Sequence, residues 1–331
     1  MTDIRLVPAV PATRDVGSPS TDAPIAPPSL AATGPELVRR FDLLRAECRR
    51  AVEEGRLDTA LARAEAAIEI AETLDDPRLL DLARCNRAAV AIALGRFGDE
   101  FGDLRRILMR NHCAETSFAA AYHLSHAYEL RKEFKKGLFY ARVARDRAQA
   151  AHDEDVLAKS YNQIGVCLLG DSYFEQAATE FEKALDRLGD EEGIVRAMLI
   201  GNRAYCRMVL GDFREAFGDL FRCLRWYRRH GAHLYAVWPH LFLCYGYLET
   251  GRLVHAWRHA NKALALAEEH GDEAALKNAL FLLAEVEKAG GDLDAARDCF
   301  ERMRRRFYPD AAALPSAVTA VGMAKVVNLR A

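Results

Sequence analysis

The chain has 331 residues, half of them hydrophobic, so it can bury a sizeable core. Its 46 basic and 48 acidic residues nearly balance. Proteins that bind nucleic acid are often strongly basic, so this composition does not indicate such a partner. No run approaches the roughly 18 apolar residues that a membrane span needs, and Asp3, Pro8 and Pro11 break the pattern of a signal peptide. We therefore expect a cytoplasmic protein without a membrane or nucleic-acid partner.

The first 35 residues differ in composition from the rest. They hold seven of the eleven prolines, many small residues and few large apolar ones. Because such a segment cannot bury enough surface to offset the entropy lost on ordering, we expect residues 1–35 to be a disordered tail. From residue 36 apolar residues recur at helical spacing, which predicts a helical array over residues 36–310. Pro77 and Pro239 interrupt this array and are expected near the starts of helices.

One turn signature recurs seven times along the array. A bulky apolar residue, called the marker below, returns every 37 to 40 residues, at Leu57, Phe97, Phe134, Phe174, Phe213, Leu253 and Leu293. Two positions before the marker, five of the seven units carry glycine, which fits a tight turn with positive φ. The residues nine before and three after it are small, apart from Glu100, so two helices can pack closely. A period of this size predicts stacked helix pairs.

These motifs resemble the tetratricopeptide repeat. The fourth unit carries the clearest match, in the run Asn162, Gln163, Ile164 and Gly165 that leads to Phe174. The resemblance extends over about residues 41–305, with a period near 40 in place of the usual 34. It implies an all-α, right-handed α-solenoid of about seven helix pairs. Since the ends of solenoids need a cover, residues 311–331 are expected to supply a C-terminal capping helix, with apolar positions as far as Leu329.

The resemblance also implies a ligand site, because the first helix of each pair lines a concave groove in this family. Eleven residues before the marker, the central units carry amides or histidine, and in better-studied relatives an asparagine there grips a peptide backbone. A side-chain amide both donates and accepts, as a peptide backbone requires. Alternatively, the amides bind the adjacent helix and the aromatic residues belong to the core. The candidate groove residues are Asn86, His123, His126, Asn162, Gln163, Asn202, Tyr205, Trp238, Phe242 and Tyr245.

No pattern indicates catalysis or a cofactor. The eight cysteines are single, which favours packing over metal binding. His123 and His126 have a spacing that can bind a metal but lack a third ligand, and His255 and His259 are expected on a solvated helix face. Three arginine-rich groups fall near the ends of second helices, where cations suit the helix dipole. We therefore expect neither an enzyme nor a bound metal or cofactor.

The sequence thus predicts a non-enzymatic scaffold that binds a peptide or protein segment in its concave groove. The alternative is a regulatory sensor that binds a small peptide or metabolite in the same groove and signals through a partner protein. Nothing in the sequence indicates the oligomeric state.

Overall fold

The computed structural model describes residues 33–98, 100–189, 192–320 and 328–331. The tail predicted for residues 1–35 lies outside these ranges, except that Gly34 already begins the first helix. The described residues form helices and contain no strand. None of these helices combines the length and apolar character that a membrane crossing requires. The chain divides into two compact units, Met1–Cys167 (unit 1) and Leu168–Ala331 (unit 2).

Unit 1 consists of three helix pairs and most of a seventh helix. Its helices are α1 (Gly34–Glu53), α2 (Leu57–Thr73), α3 (Pro77–Ala93), α4 (Glu100–Arg110), α5 (Ala114–Leu130), α6 (Phe134–Ala151) and the larger part of α7 (Glu154–Gly170). Pro77 opens α3, as the sequence indicates. Where α5 meets α6, the Ser125 hydroxyl donates to the Gly137 carbonyl at 2.8 Å. A Cβ on Gly137 would lie 2.9 Å from the Cys167 sulfur, so this approach requires glycine.

Unit 2 begins with the last turn of α7 and continues through three and a half helix pairs. Its further helices are α8 (Phe174–Leu188), α9 (Ile194–Val209), α10 (Phe213–Arg229), α11 (Val237–Glu249), α12 (Leu253–His270), α13 (Glu273–Gly290), α14 (Leu293–Phe307) and α15 (Leu314–Ala320). A 3-10 turn, His233–Ala236, precedes α11, and Pro239 is the third residue of that helix. Helix α11 contacts both α9 and α13. These three first helices form what we call the first-helix face of unit 2.

The recurring marker begins the second helix in every pair except one. In that pair α4 begins at Glu100, three residues after Phe97. All seven residues that stand two before a marker have positive φ, including Lys132 at 61° and Ser172 at 65°. Helix pairing therefore imposes the left-handed turn even where the side chain disfavours it. The predicted all-α fold of tetratricopeptide-like helix pairs is confirmed.

The end of the chain differs from the expected capping helix. Helix α15 packs on α14, and the Lys288 ammonium donates to the Val318 carbonyl at 3.1 Å. Residues 328–331, which were expected within this helix as far as Leu329, form a turn instead. The Asn328 side chain accepts the Arg330 N–H at 2.9 Å, and the Ala331 N–H donates to the Asn328 carbonyl at 3.1 Å. Such local side-chain bonds compete with helix formation.

Candidate functional site

Four of the predicted groove residues meet on the first-helix face of unit 2, where Tyr205, Phe242 and Tyr245 are buried and Trp238 is half-buried. The rings of Tyr205 and Phe242 stack with their centroids 4.4 Å apart and their planes 10° from parallel. Tyr245 meets Tyr205 edge-on at 6.3 Å, and Trp238 lies 6.0 Å from Phe242. Because stacked and edge-on contacts are both favourable, the ring of Tyr205 is held from two sides. Its hydroxyl is thereby fixed in place.

Residues 328–331 of the same chain lie against this face. The Leu329 N–H donates to the Tyr205 hydroxyl at 2.9 Å, and the Leu329 carbonyl accepts from the Asn278 side-chain amide at 2.8 Å. The Arg330 guanidinium lies 4.3 Å from the centroid of the Trp238 ring, within the range of a cation–π interaction. Both backbone groups of Leu329 are thus held by side chains from two helices, and the residue is only 2% exposed.

Asn328 attaches the same turn to the end of α7. Its side-chain amide donates to the Leu169 carbonyl at 2.7 Å and to the Ser172 hydroxyl at 3.0 Å. The last carbonyls of a helix have no partner within it, so a donor here satisfies them. The Tyr205 hydroxyl donates to the Asn328 side-chain oxygen at 3.4 Å. Burial raises the pKa of Tyr205, so this hydroxyl stays protonated and can both donate and accept.

The other predicted residues take no part in this contact. Asn202 is half-buried on α9, and the side-chain amide that bonds to Leu329 is that of Asn278. In unit 1, His123 and Gln163 are 4% and 3% exposed, so they are enclosed and do not line an open groove as expected. Burial lowers the pKa of His123 to about 3, so its ring is neutral. Gln163 faces the Cys167 sulfur, 3.9 Å from its side-chain nitrogen.

The three remaining predicted residues of unit 1 are half-buried: Asn86, His126 and Asn162. The His126 Nε2 lies 3.8 Å from the Glu129 carboxylate, one helical turn away. Burial lowers the pKa of His126 despite this carboxylate. Its contact is therefore within α5, and these three stay candidates on sequence grounds alone.

Asn278 is absent from the predicted set of groove residues, although Trp238 of the same set is its equivalent in the preceding unit. Each lies fifteen residues before its marker. This position is one helical turn before the asparagine position, on the same side of the first helix. Including it would have identified Asn278. No sequence pattern marks residues 328–330 as an occupant of the face.

Carboxylates pair with several, though not all, of the arginines in the arginine-rich groups and with arginines nearby. Asp219, almost fully buried, accepts from Arg203 at 3.0 Å, Arg207 at 3.2 Å and Arg222 at 2.5 Å. Glu301 similarly holds two arginines of α14, Arg304 at 2.7 Å and Arg305 at 2.8 Å. These ion pairs link neighbouring helices and neighbouring turns of the same helix.

A cavity of about 580 Å³ lies between α12, α13 and α14. Arginines and glutamates line it, and they already pair with each other: Arg302 with Glu268, and Arg306 with Glu273. The charged side chains named here are therefore already ion-paired with one another.

The histidines of unit 2 correct one expectation. The Nδ1 atoms of His240 and His259 are 2.8 Å apart, and His259 stacks on Tyr247 at 5.5 Å. His259 therefore packs within the unit rather than on a solvated face. Burial lowers the pKa of His240 to about 3 and that of His259 to about 4. Within the described ranges, no three histidine, cysteine or acidic side chains gather as a metal site would require.

Comparison with known proteins supports the fold. No family model and no curated protein matches the chain. Among solved structures, the apo form of RapI aligns with a TM-score of 0.61 and 14% identity, over 86% of this chain and 79% of that one. A signal transduction ATPase with a tetratricopeptide repeat sensor, from Pyrococcus horikoshii, aligns with a TM-score of 0.59 and 14% identity. The APC/C hetero-tetramer Cut9–Hcn1 gives a TM-score of 0.57 and 16% identity.

The last two alignments cover 87% and 88% of this chain but only 46% and 55% of those proteins. At these identities the likeness shows the fold alone. That fold is an array of helix pairs like that of tetratricopeptide repeat proteins, and the resemblance found in the sequence is confirmed at the level of the fold.

Proposed function

We propose that the chain is a non-enzymatic scaffold whose first-helix face in unit 2 binds a short segment of a partner protein or peptide. One observation carries this proposal: Tyr205 and Asn278 hold the N–H and the carbonyl of Leu329 at 2.9 and 2.8 Å. Every peptide presents these two backbone groups. A clamp built for them suits a segment from another chain as well as one from the same chain.

The rest of the face supports peptide binding. Tyrosine and tryptophan supply large, rigid contact area and dominate many binding hot spots. The ring stack of Tyr205 and Phe242 preorganises the site, which lowers the entropy cost of binding. A protein partner is also the kind that Cut9 has, since that protein assembles with Hcn1.

The buried nucleophiles support a role without catalysis. Burial raises the pKa of the Cys167 and Cys206 thiols to about 12, and the thiolate is the reactive form. Burial also keeps the enclosed His123 neutral. The eight cysteines are all free thiols, which fits a reducing compartment and supports a cytoplasmic location.

Selection from a random peptide library tests the proposal directly. Peptides selected on the full chain would be measured by fluorescence anisotropy against Tyr205→Phe/Asn278→Leu. The matched control is Trp257→Ala, which removes an exposed aromatic residue from the second helix α12. We expect the control to keep wild-type affinity and the double variant to bind the peptide about two- to threefold more weakly. Two hydrogen bonds to the peptide disappear, but the chain's own turn loses the same two bonds, which offsets part of the loss. Unchanged binding by the double variant would place the site elsewhere.

The alternative function, a sensor of a small peptide or metabolite that signals through a partner, is favoured by the size of the occupied site. A four-residue turn occupies it, and Tyr205, Trp238 and Asn278 contact the two central residues of that turn. A sensor would co-purify with a small ligand that mass spectrometry detects after denaturation. A scaffold would instead retain a protein that the Tyr205→Phe/Asn278→Leu variant loses.

A further inference from the structure

In the turn at residues 328–331, the side chains of Asn328, Leu329 and Arg330 each have a separate set of contacts. The Asn328 amide reaches the end of α7, and the Leu329 side chain is enclosed. The Arg330 guanidinium lies over Trp238. An Asx bond from the Arg330 N–H to the Asn328 side chain and a turn bond from the Ala331 N–H keep the backbone bent. The face is therefore shaped for a turn with three distinguishable side chains.

We propose that this face recognises, in a partner protein, a turn of the type asparagine–aliphatic–arginine, and that residues 328–330 occupy the site as a competitor within the chain. The inference rests on the proposed function and adds the kind of segment bound and its regulation. The partner's turn must displace the chain's own turn before it can bind.

The first position of the turn selects asparagine because the groups around its side chain include both hydrogen-bond acceptors and a hydrogen-bond donor. Its amide nitrogen donates to the Leu169 carbonyl and the Ser172 hydroxyl, while its oxygen accepts from the Arg330 N–H. A side-chain amide offers both functions on neighbouring atoms. Aspartate would place a negative charge against the carbonyl oxygens that end α7, so the site discriminates against it.

The second and third positions select an aliphatic residue and an arginine. Leu329 is 2% exposed, and a polar side chain there would be buried at a cost. The planar guanidinium of Arg330 suits the face of the Trp238 ring, which also stacks near Phe242. Arginine is preferred over lysine at such a contact because its delocalised cation is more weakly hydrated.

The same contacts would also be expected if residues 328–331 served only to cap the unit. The two roles differ in whether a free peptide can displace the segment. A peptide of the same sequence can replace a competitor, but it cannot replace a permanent cap. Since a tethered segment has an effective concentration of about millimolar, the free peptide should bind the wild-type chain weakly. Weakening the tethered segment should expose the site.

The experiment uses a fluorescent peptide with the sequence of residues 326–331, acetylated and amidated, and the full chain throughout. A segment variant carries Asn328→Ala, Leu329→Ser and Arg330→Ala. We expect the segment variant to bind the peptide about tenfold more tightly than the wild type. A peptide with alanine in place of the arginine should bind the segment variant about threefold more weakly. Adding Trp238→Leu to the segment variant should abolish that threefold difference.

Each result decides a separate point. Equal affinity of wild type and segment variant would overturn the competition, and equal affinity of the two peptides would overturn the arginine preference. If the peptide binds neither protein while library-selected peptides bind and depend on Tyr205 and Asn278, this inference fails and the scaffold function stands. If the library-selected peptides also fail to bind, both this inference and the scaffold function are contradicted. Should the segment variant unfold, Arg330→Ala alone replaces it, with a gain of about threefold expected.

Discussion

Units 1 and 2 repeat the same helix pair but use the first helices differently. In unit 1 the central histidine, His123, is enclosed and neutral. In unit 2 Tyr205 is enclosed as well, yet its hydroxyl bonds to the backbone of another segment at 2.9 Å. A tyrosine carries its polar atom beyond the ring, so the ring can pack while the hydroxyl binds. An imidazole keeps its nitrogens within the ring, and burying the ring buries them too.

Both units contain an equivalent ion pair between an arginine of a first helix and an aspartate of the following second helix. In unit 1, Asp103 accepts from Arg87 at 2.7 Å, and in unit 2, Asp219 accepts from Arg203 at 3.0 Å. Each arginine stands ten residues before its marker and each aspartate six after, so the pairs are equivalent. A further arginine, three residues after the aspartate, completes both networks. Ion pairing is thus common to both units, whereas the occupied face belongs to unit 2.

The largest expected effect tests whether the more deeply buried aspartate of these two ion-pair networks contributes more to stability. The side chain of Asp219 is 4% exposed and that of Asp103 is 12% exposed. Asp219→Ala leaves three arginines without their buried acceptor and should lower the free energy of unfolding by about 3 kcal/mol. Asp103→Ala should cost about 1–2 kcal/mol, because its cations are better solvated. Urea titration measures both, and a smaller loss for Asp219→Ala than for Asp103→Ala would contradict the ranking.

A second test uses acid, because the buried histidine of unit 1 must stay neutral. The pKa of His123 is lowered to about 3 in the fold, against about 6.5 in the unfolded chain. Between these values the unfolded state binds more protons, so stability falls as the pH falls. From pH 7 to pH 5, His123 should account for a loss of about 2 kcal/mol.

Between pH 7 and pH 5, the free energy of unfolding of His123→Gln should therefore fall by about 2 kcal/mol less than that of the wild type. The control is His233→Gln, at an exposed position of unit 2, which should keep the wild-type loss. Urea titrations at the two pH values give the comparison. Parallel pH profiles for wild type and His123→Gln would show that the imidazole becomes charged without unfolding.

The third test removes the hydroxyl that distinguishes unit 2. Tyr205→Phe keeps the ring stack but leaves the Leu329 N–H without its acceptor, at a cost of about 1–2 kcal/mol. Hydrogen exchange at residues 328–331 should then accelerate by about tenfold. Tyr245→Phe, which removes a hydroxyl from the neighbouring helix α11 and leaves this bond in place, is the control. Equal exchange in the two variants would show that Tyr205 does not hold the segment.

The sequence was enough to predict the fold, because its signals are local and repeated. Glycines and small residues at fixed distances from the marker, such as Gly137, report a turn or a close helix contact directly. The site was only partly predictable. The repeat pattern could indicate Tyr205 and Trp238, but the fate of His123 depends on how many neighbours enclose it. The contact with Leu329 joins residues more than 120 positions apart and has no local signature.

The smallest effects concern the two marker turns, one in each unit, that lack glycine two residues before the marker. Lys132 and Ser172 both adopt positive φ, at 61° and 65°. Lys132→Gly should raise the free energy of unfolding by about 0.5–1 kcal/mol, because the left-handed strain is relieved and only part of the gain is lost to a more flexible unfolded chain.

Ser172→Gly should gain less, near zero, because the same change deletes the hydroxyl that accepts from the Asn328 amide at 3.0 Å. Urea titration of both variants beside the wild type measures this difference. A second comparison, in a chain that also carries Asn328→Ala, removes the lost contact, and Ser172→Gly should then stabilise as much as Lys132→Gly. If the two glycine variants already gain equally with Asn328 present, the bond between Ser172 and Asn328 contributes nothing to holding the segment on unit 2.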